Sequence, residues 1–188
     1  MPSGISETDI YNRALAKLGS TRISSTTQNI ERAKVLNDMY TNVRDSLLRE
    51  NPWNFAVKRA TIGVNATAPD WGWDNRYVLP TDFLLLLEIE DYPPYNIESG
   101  YILTNTDTTI KIKYVSRDPS TAQYDSLFVE ALACKLAYEA CESITKSARK
   151  KEELWFAYEQ AMQKGKFRDG FEQDPDERIE DEWVDARR

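Results

Sequence analysis

The chain has 188 residues (21.7 kDa), and its 24 Lys and Arg against 31 Asp and Glu give a formal charge of −7 and a pI near 4.8. It contains no histidine, which excludes Ser/His/Asp and Cys/His nucleophile pairs, His-ligated metals and imidazole acid–base chemistry. The acidic balance also argues against a free-standing nucleic-acid binder, because counterion release needs clustered Lys and Arg facing phosphates.

With 41% apolar residues and 11% aromatics, the chain can bury an ordinary core in one domain or two small ones. Cys134 and Cys141 lie in a segment read as helix, about 10.5 Å apart at 1.5 Å per residue. That is too far to bridge, so they are read as buried thiols in a reducing compartment. No apolar run is long enough to span a bilayer, and the start, Met1 to Ser6, lacks a basic n-region and an apolar h-region. The expectation is a soluble, cytosolically made protein with no membrane partner and no cofactor.

Ser6 followed by Asp9 forms a capping-box start, and Ile10, Ala14, Leu15 and Leu18 repeat at helical spacing until Gly19 offers a stop. A second, longer helix follows a polar stretch, with Ala33, Leu36, Tyr40, Val43 and Leu47 on one face and an end at Asn51-Pro52. Its other face, which includes Arg44, is solvated or meets a subunit. From Trp53 to Pro119 the vocabulary becomes that of strands. Ala60, Ile62 and Val64 alternate, as do Ile110, Ile112 and Tyr114; Leu84 to Ile89 is a continuous apolar run; and Ile97-Glu98 and Tyr101 to Leu103 flank a turn at Ser99-Gly100. Four to six short antiparallel strands are expected.

Helix returns after Asp125. Phe128, Leu132, Leu136, Ala140 and Ile144 step by four beside a small-residue stripe of Ala133, Ala137 and Cys141, which lets another helix approach closely. Ser147 caps a last helix, whose Leu154, Trp155, Tyr158, Ala161 and Met162 keep the period to about Phe167. The fold class is α+β: a helical bundle from residues 1–52 and 120–169, an antiparallel β domain inserted at 53–119, and an acidic tail at 170–188. That tail has eight acids, three arginines and few apolar groups, with Trp183 as the candidate anchor on a partner.

Little in the chain carries chemistry. Glu88 and Glu90 share a strand face and form the best acid pair for a hydrolase, but no substrate cleft is marked around them, and no glycine-rich phosphate loop occurs. Arg149-Lys150-Lys151 opens the last helix, where positive charge opposes the helix dipole; it is a solvated cap or faces an acidic partner. Trp53, Phe55, Trp71, Trp73 and Tyr77 crowd the start of the insertion and are read as core and subunit seam.

The run Arg44-Asp45-Ser46-Leu47-Leu48-Arg49-Glu50-Asn51-Pro52-Trp53-Asn54-Phe55-Ala56-Val57-Lys58-Arg59-Ala60 resembles the helix-to-strand junction of the tail tubular protein A family, the head-to-tail adaptors of short-tailed bacteriophages. Supporting strings follow in order: Ala14 to Gly19, Tyr77 to Leu84, Ile97 to Thr104, Ile112 to Val115, Phe128 to Ala133 and Ile144 to Ser147. Together they cover residues 9 to about 165 and leave out the acidic tail. The resemblance implies a homo-oligomeric ring, usually of twelve copies, in the virion neck between portal protein and tail nozzle protein. Double-stranded DNA would pass through its channel without specific binding, and no residue would be catalytic. On that reading Arg44, Trp53, Phe55, Trp71, Trp73, Arg149, Lys150, Lys151 and Trp183 are candidate subunit or partner contacts. An acid-pair tail hydrolase and a transient interaction module using the acidic tail remain the alternatives.

Overall fold

The computed structural model describes residues 4–117 and 119–171. It has four α-helices and two small antiparallel sheets, an α+β fold. Helix α1 spans Glu7–Lys17 and opens with the expected capping box: Ser6 Oγ accepts the Asp9 N–H at 3.2 Å, and the Asp9 carboxylate accepts the Ser6 N–H at 3.0 Å. Helix α2 (Glu31–Glu50) buries Ala33, Leu36, Tyr40, Val43, Leu47 and Leu48, the stripe its spacing predicts. Helix α3 (Ser126–Thr145) is capped by the Asp125 carboxylate, which accepts the Leu127 N–H at 2.7 Å, and it closes with Lys146 in the left-handed region at φ 53°. Helix α4 runs Ala148–Phe171, past the expected end near Phe167 and into the segment assigned to the tail.

Helix α3 is the hub of the bundle, packing on α1, α2 and α4. Ala133, Ala137 and Cys141 are fully buried; small side chains here let neighbouring backbones come close, so α3 touches three helices at once. Both cysteines are buried free thiols.

The insertion contains β1 (Val57–Ile62), β2 (Asn75–Val78), β3 (Phe83–Ile89), β4 (Asn96–Glu98), β5 (Tyr101–Thr104) and β6 (Ile110–Ser116). They form two sheets, ordered β1-β6-β3 and β2-β5-β4. In the first, Ala60 pairs with Ile112 and Ile62 with Ile110, so the alternating apolar set lies on one face. That face closes over Tyr77 and Ile102 of the second sheet to make a small core with Ile89 and Tyr114. Ser99 (φ 48°) and Gly100 (φ 84°) link β4 to β5, since Glu98 pairs with Tyr101; two consecutive positive φ values are what a type I′ hairpin turn requires. The register of β3 against β6 shifts twice, between Phe83 and Leu85 and between Leu86 and Glu88.

The helical core continues into the root of the first sheet, because Leu84 and Val115 belong to the same buried cluster as the helices. Trp53 sits at this root, 1% exposed, its ring edge-on to Phe128 at a centroid distance of 5.2 Å. The indole lies so close to α4 that a Cβ on Gly165 would stand 2.3 Å from Trp53 Cη2. Glycine inside a helix costs about 1 kcal/mol relative to alanine, so its place here is set by the ring it faces. Gly165→Ala is therefore expected to lower stability by about 1–2 kcal/mol despite its better helix propensity. In denaturant melts, combining it with Trp53→Phe should cost less than the sum of the two single changes.

Candidate functional site

Strands β1 and β3 both run antiparallel to β6. Their ends, Ile62 and Ile89, therefore lie beside Ile110 and Ile112, at the end of the sheet remote from the helices. The segments 63–74, 90–95 and 105–109 gather at this end as a tip. Local bonds brace it. The Asp74 N–H reaches Asn105 Oδ1 at 3.1 Å, the Tyr77 hydroxyl lies 2.7 Å from the carbonyls of both Thr106 and Thr108, and the Asn65 N–H reaches the Arg76 carbonyl at 2.8 Å.

On this braced tip Trp71 is 87% exposed and Tyr92 78% exposed, with Tyr95 and Val64 also exposed and Trp73 half-buried. Asp91 and Tyr92 both have positive φ, 64° and 46°, an arrangement costing on the order of 1 kcal/mol per non-glycine residue. Asp70, Asp74, Asp91 and Asp107 share the tip, and none forms an ion pair among the described residues. Large rings held out into water by a strained, acidic scaffold mark a contact surface.

A second surface lies on α4. Leu154, Tyr158, Ala161 and Met162 face the bundle, whereas Phe156 (61% exposed) and Phe167 (71%) fall on the opposite side with Gln160 and Gln163. At its margin Trp155 contacts Tyr138 and Tyr158, and the Lys135 ammonium lies over all three rings, nearest Tyr158 at 4.6 Å. These cation–ring contacts fix the margin of the α4 face.

The candidate contacts from the sequence separate into groups. Trp53 belongs to the chain's own core and presents no surface, because the bundle closes over it. Phe55 is half-buried against Phe128 and Tyr124. Arg44 is no solvated helix residue: its guanidinium bonds the Asp45 carboxylate at 2.9 Å and lies over the Tyr40 ring, and Asp45 in turn holds Arg117 at 3.0 Å. Arg149 and Lys150 both approach Glu153, and Lys151 approaches Glu142. The basic run is thus largely answered within the chain. Of the aromatic candidates among the described residues, Trp71 alone is fully displayed, and Trp183 lies outside the described residues. As for the acid pair, Glu88 accepts a bond from the Tyr92 hydroxyl at 3.1 Å, and Glu90 pairs with Lys111 at 2.9 Å, so each carboxylate has its own donor.

No protein-family model matches this chain, and no curated protein matches it. A reading of its role therefore rests on the sequence strings and on these surfaces. One of those strings, Tyr77 to Leu84, has a structural explanation in Asp82. Its carboxylate accepts bonds from Lys58 Nζ (2.7 Å), Tyr114 Oη (2.9 Å) and Ser116 Oγ (2.9 Å), pinning the start of β3 to β1 and β6. The Lys58 bond, followed by those from Ser116 and Tyr114, holds the Asp82 carboxyl below its usual range against the opposing effect of burial.

Sequence reasoning missed Asp82, Phe156, Phe167, Tyr92 and Tyr95. Phe156 and Phe167 carried a readable signal, since both stand well out of phase with the buried stripe of Leu154, Tyr158 and Met162.

A carboxylate with a lowered folded pKa stabilises the fold above its unfolded value, about 3.9, and that contribution disappears as pH falls through the lowered folded value. Asp82→Asn should cost about 2 kcal/mol at neutral pH, the scale of hydrogen bonds to a charged group. The difference from wild type should shrink toward zero in urea melts carried down through the acid range.

Proposed function

We propose that this chain is a structural subunit of a bacteriophage neck: a head-to-tail adaptor that forms a ring between portal and tail nozzle and encloses a passage for double-stranded DNA. It performs no reaction. The observation that carries the reading is the display of two separate aromatic surfaces, the β tip and the outer face of α4, on units joined through Trp53 and the Asp45–Arg117 pair. Two unlike surfaces on one rigid body suit heterologous contacts, which close into a ring when the rotation between copies closes.

The resembling strings support the same reading. The longest, Arg44 to Ala60, covers the end of α2, the Trp53 wedge and most of β1, the stretch that sets how the β unit is held on the bundle. The charge of −7 per copy suits a passage that must let DNA slide, since an acidic wall repels phosphate rather than gripping it.

Electron microscopy of the full chain mixed with its portal is the direct test. Ring density beneath the portal is expected; a chain that stays monomeric in the presence of portal would overturn the reading. Trp71→Ala should weaken incorporation about thirtyfold, the effect of losing an interface hot spot worth about 2 kcal/mol. Its thermal midpoint should stay unchanged, because the ring it removes is exposed.

A further inference from the structure

We infer that the C-terminal segment folds back on its own chain, with Trp183 seated in the cleft where α4 passes the Trp53 wedge. The inference concerns the isolated chain and does not depend on the neck reading.

The cleft has a volume of about 470 Å³, room for one large ring. Phe55 and Tyr124 form one wall, both half-buried, their ring centroids 5.4 Å apart; Gly165 and Arg168 form the α4 side. Trp53 borders it as well, and the indole N–H of this buried ring has no hydrogen-bond partner among the described residues. Buried donors nearly always find an acceptor. Asp125, the one carboxylate among the lining residues, is already engaged by the Leu127 N–H as a helix cap. Arg168, by contrast, forms no ion pair among the described residues. The cleft thus suits an aromatic side chain flanked by anionic acceptors.

The end of α4 identifies the occupant. Arg168 stands three residues before Phe171, the last residue of the helix, about 4.5 Å along the axis at 1.5 Å per residue. Within residues 172–188 Trp183 is the single aromatic side chain, and it stands between Glu180-Asp181-Glu182 on one side and Asp185 on the other. That is the combination the cleft suits. Pro175 has no N–H to give a continuing helix, so the sequence favours a change of direction soon after Phe171. From Phe171 to Trp183 the chain can span on the order of 20 Å as a coil, ample for a return to a cleft so close to its start. A group on so short a tether has an effective concentration in the millimolar range. At micromolar protein its own cleft is therefore favoured over a neighbour's, and any partner that takes Trp183 competes with the chain itself.

The test uses the full chain without portal, carrying p-benzoylphenylalanine in place of Trp183, as an equimolar mixture of isotopically light and heavy protein that is irradiated and read by mass spectrometry. Cross-links should fall on residues 53–55 and 122–126 and join positions of one copy. Hydrogen exchange supplies a second measurement. Trp183→Ser should speed exchange of amides 180–184 about tenfold and also raise it over 122–126, while Arg168→Glu should speed amides 180–184 about threefold. Links joining light to heavy copies would put the segment in a neighbour's cleft and overturn the inference. Links elsewhere would overturn it too, as would exchange that Trp183→Ser leaves unchanged, the result expected if solvent alone fills the cleft. A chain that shows these links yet ignores the portal would support this contact and overturn the neck reading alone.

Discussion

Trp53 is the contact on which the architecture depends. The chain leaves α2 at Asn51-Pro52, turns its indole inward, and enters β1 four residues later at Val57. The ring meets Phe128 on α3, lies beside Phe55 at 6.2 Å, and faces the one position in the middle of α4 that has no side chain, Gly165. Helices from both ends of the sequence and the first strand of the insertion thus share one buried wedge. Removing such a side chain from a core typically costs about 3–5 kcal/mol. Here it would also release the angle at which the β unit leaves the bundle.

The junction around that wedge is reinforced by polar groups on either side. Asp82 gathers Lys58, Tyr114 and Ser116, and Asp45 gathers Arg44 and Arg117. Asp82 ties the start of β3 to β1 and β6, and Asp45 ties α2 to Arg117 just past β6, so the first sheet is anchored by its root. Rigidity at the root and display at the tip are two sides of one arrangement: a tip can present Trp71 in a fixed direction only if the sheet beneath it does not swing.

Local patterns were legible in the sequence wherever the period of the chain equals the period of the buried face. The α2 stripe, the Ser6 cap, the Ser99-Gly100 turn and the alternation in β1 and β6 all lie where spacing places them. Contacts made between elements were not legible. Nothing in the spacing of the strands says that β6 lies between β1 and β3, or that β2, β5 and β4 form a sheet of their own. Arg44 reads as solvent-facing on a helical wheel, and only the approach of Arg117 to Asp45 reveals it as part of a junction. Trp53 and Trp71 have equal hydrophobicity and opposite fates, because one meets Gly165 and the other sits on a loop beyond the last strand residue.

The two register shifts in β3 have a further consequence. A flat, evenly hydrogen-bonded outer strand is a template onto which another polypeptide can zip, with fibril growth as the extreme outcome. The bulged outer strand breaks that template on one flank, while the exposed Arg59 puts a charge on the other. Accidental zipping of one sheet edge onto another backbone is thereby discouraged on both flanks.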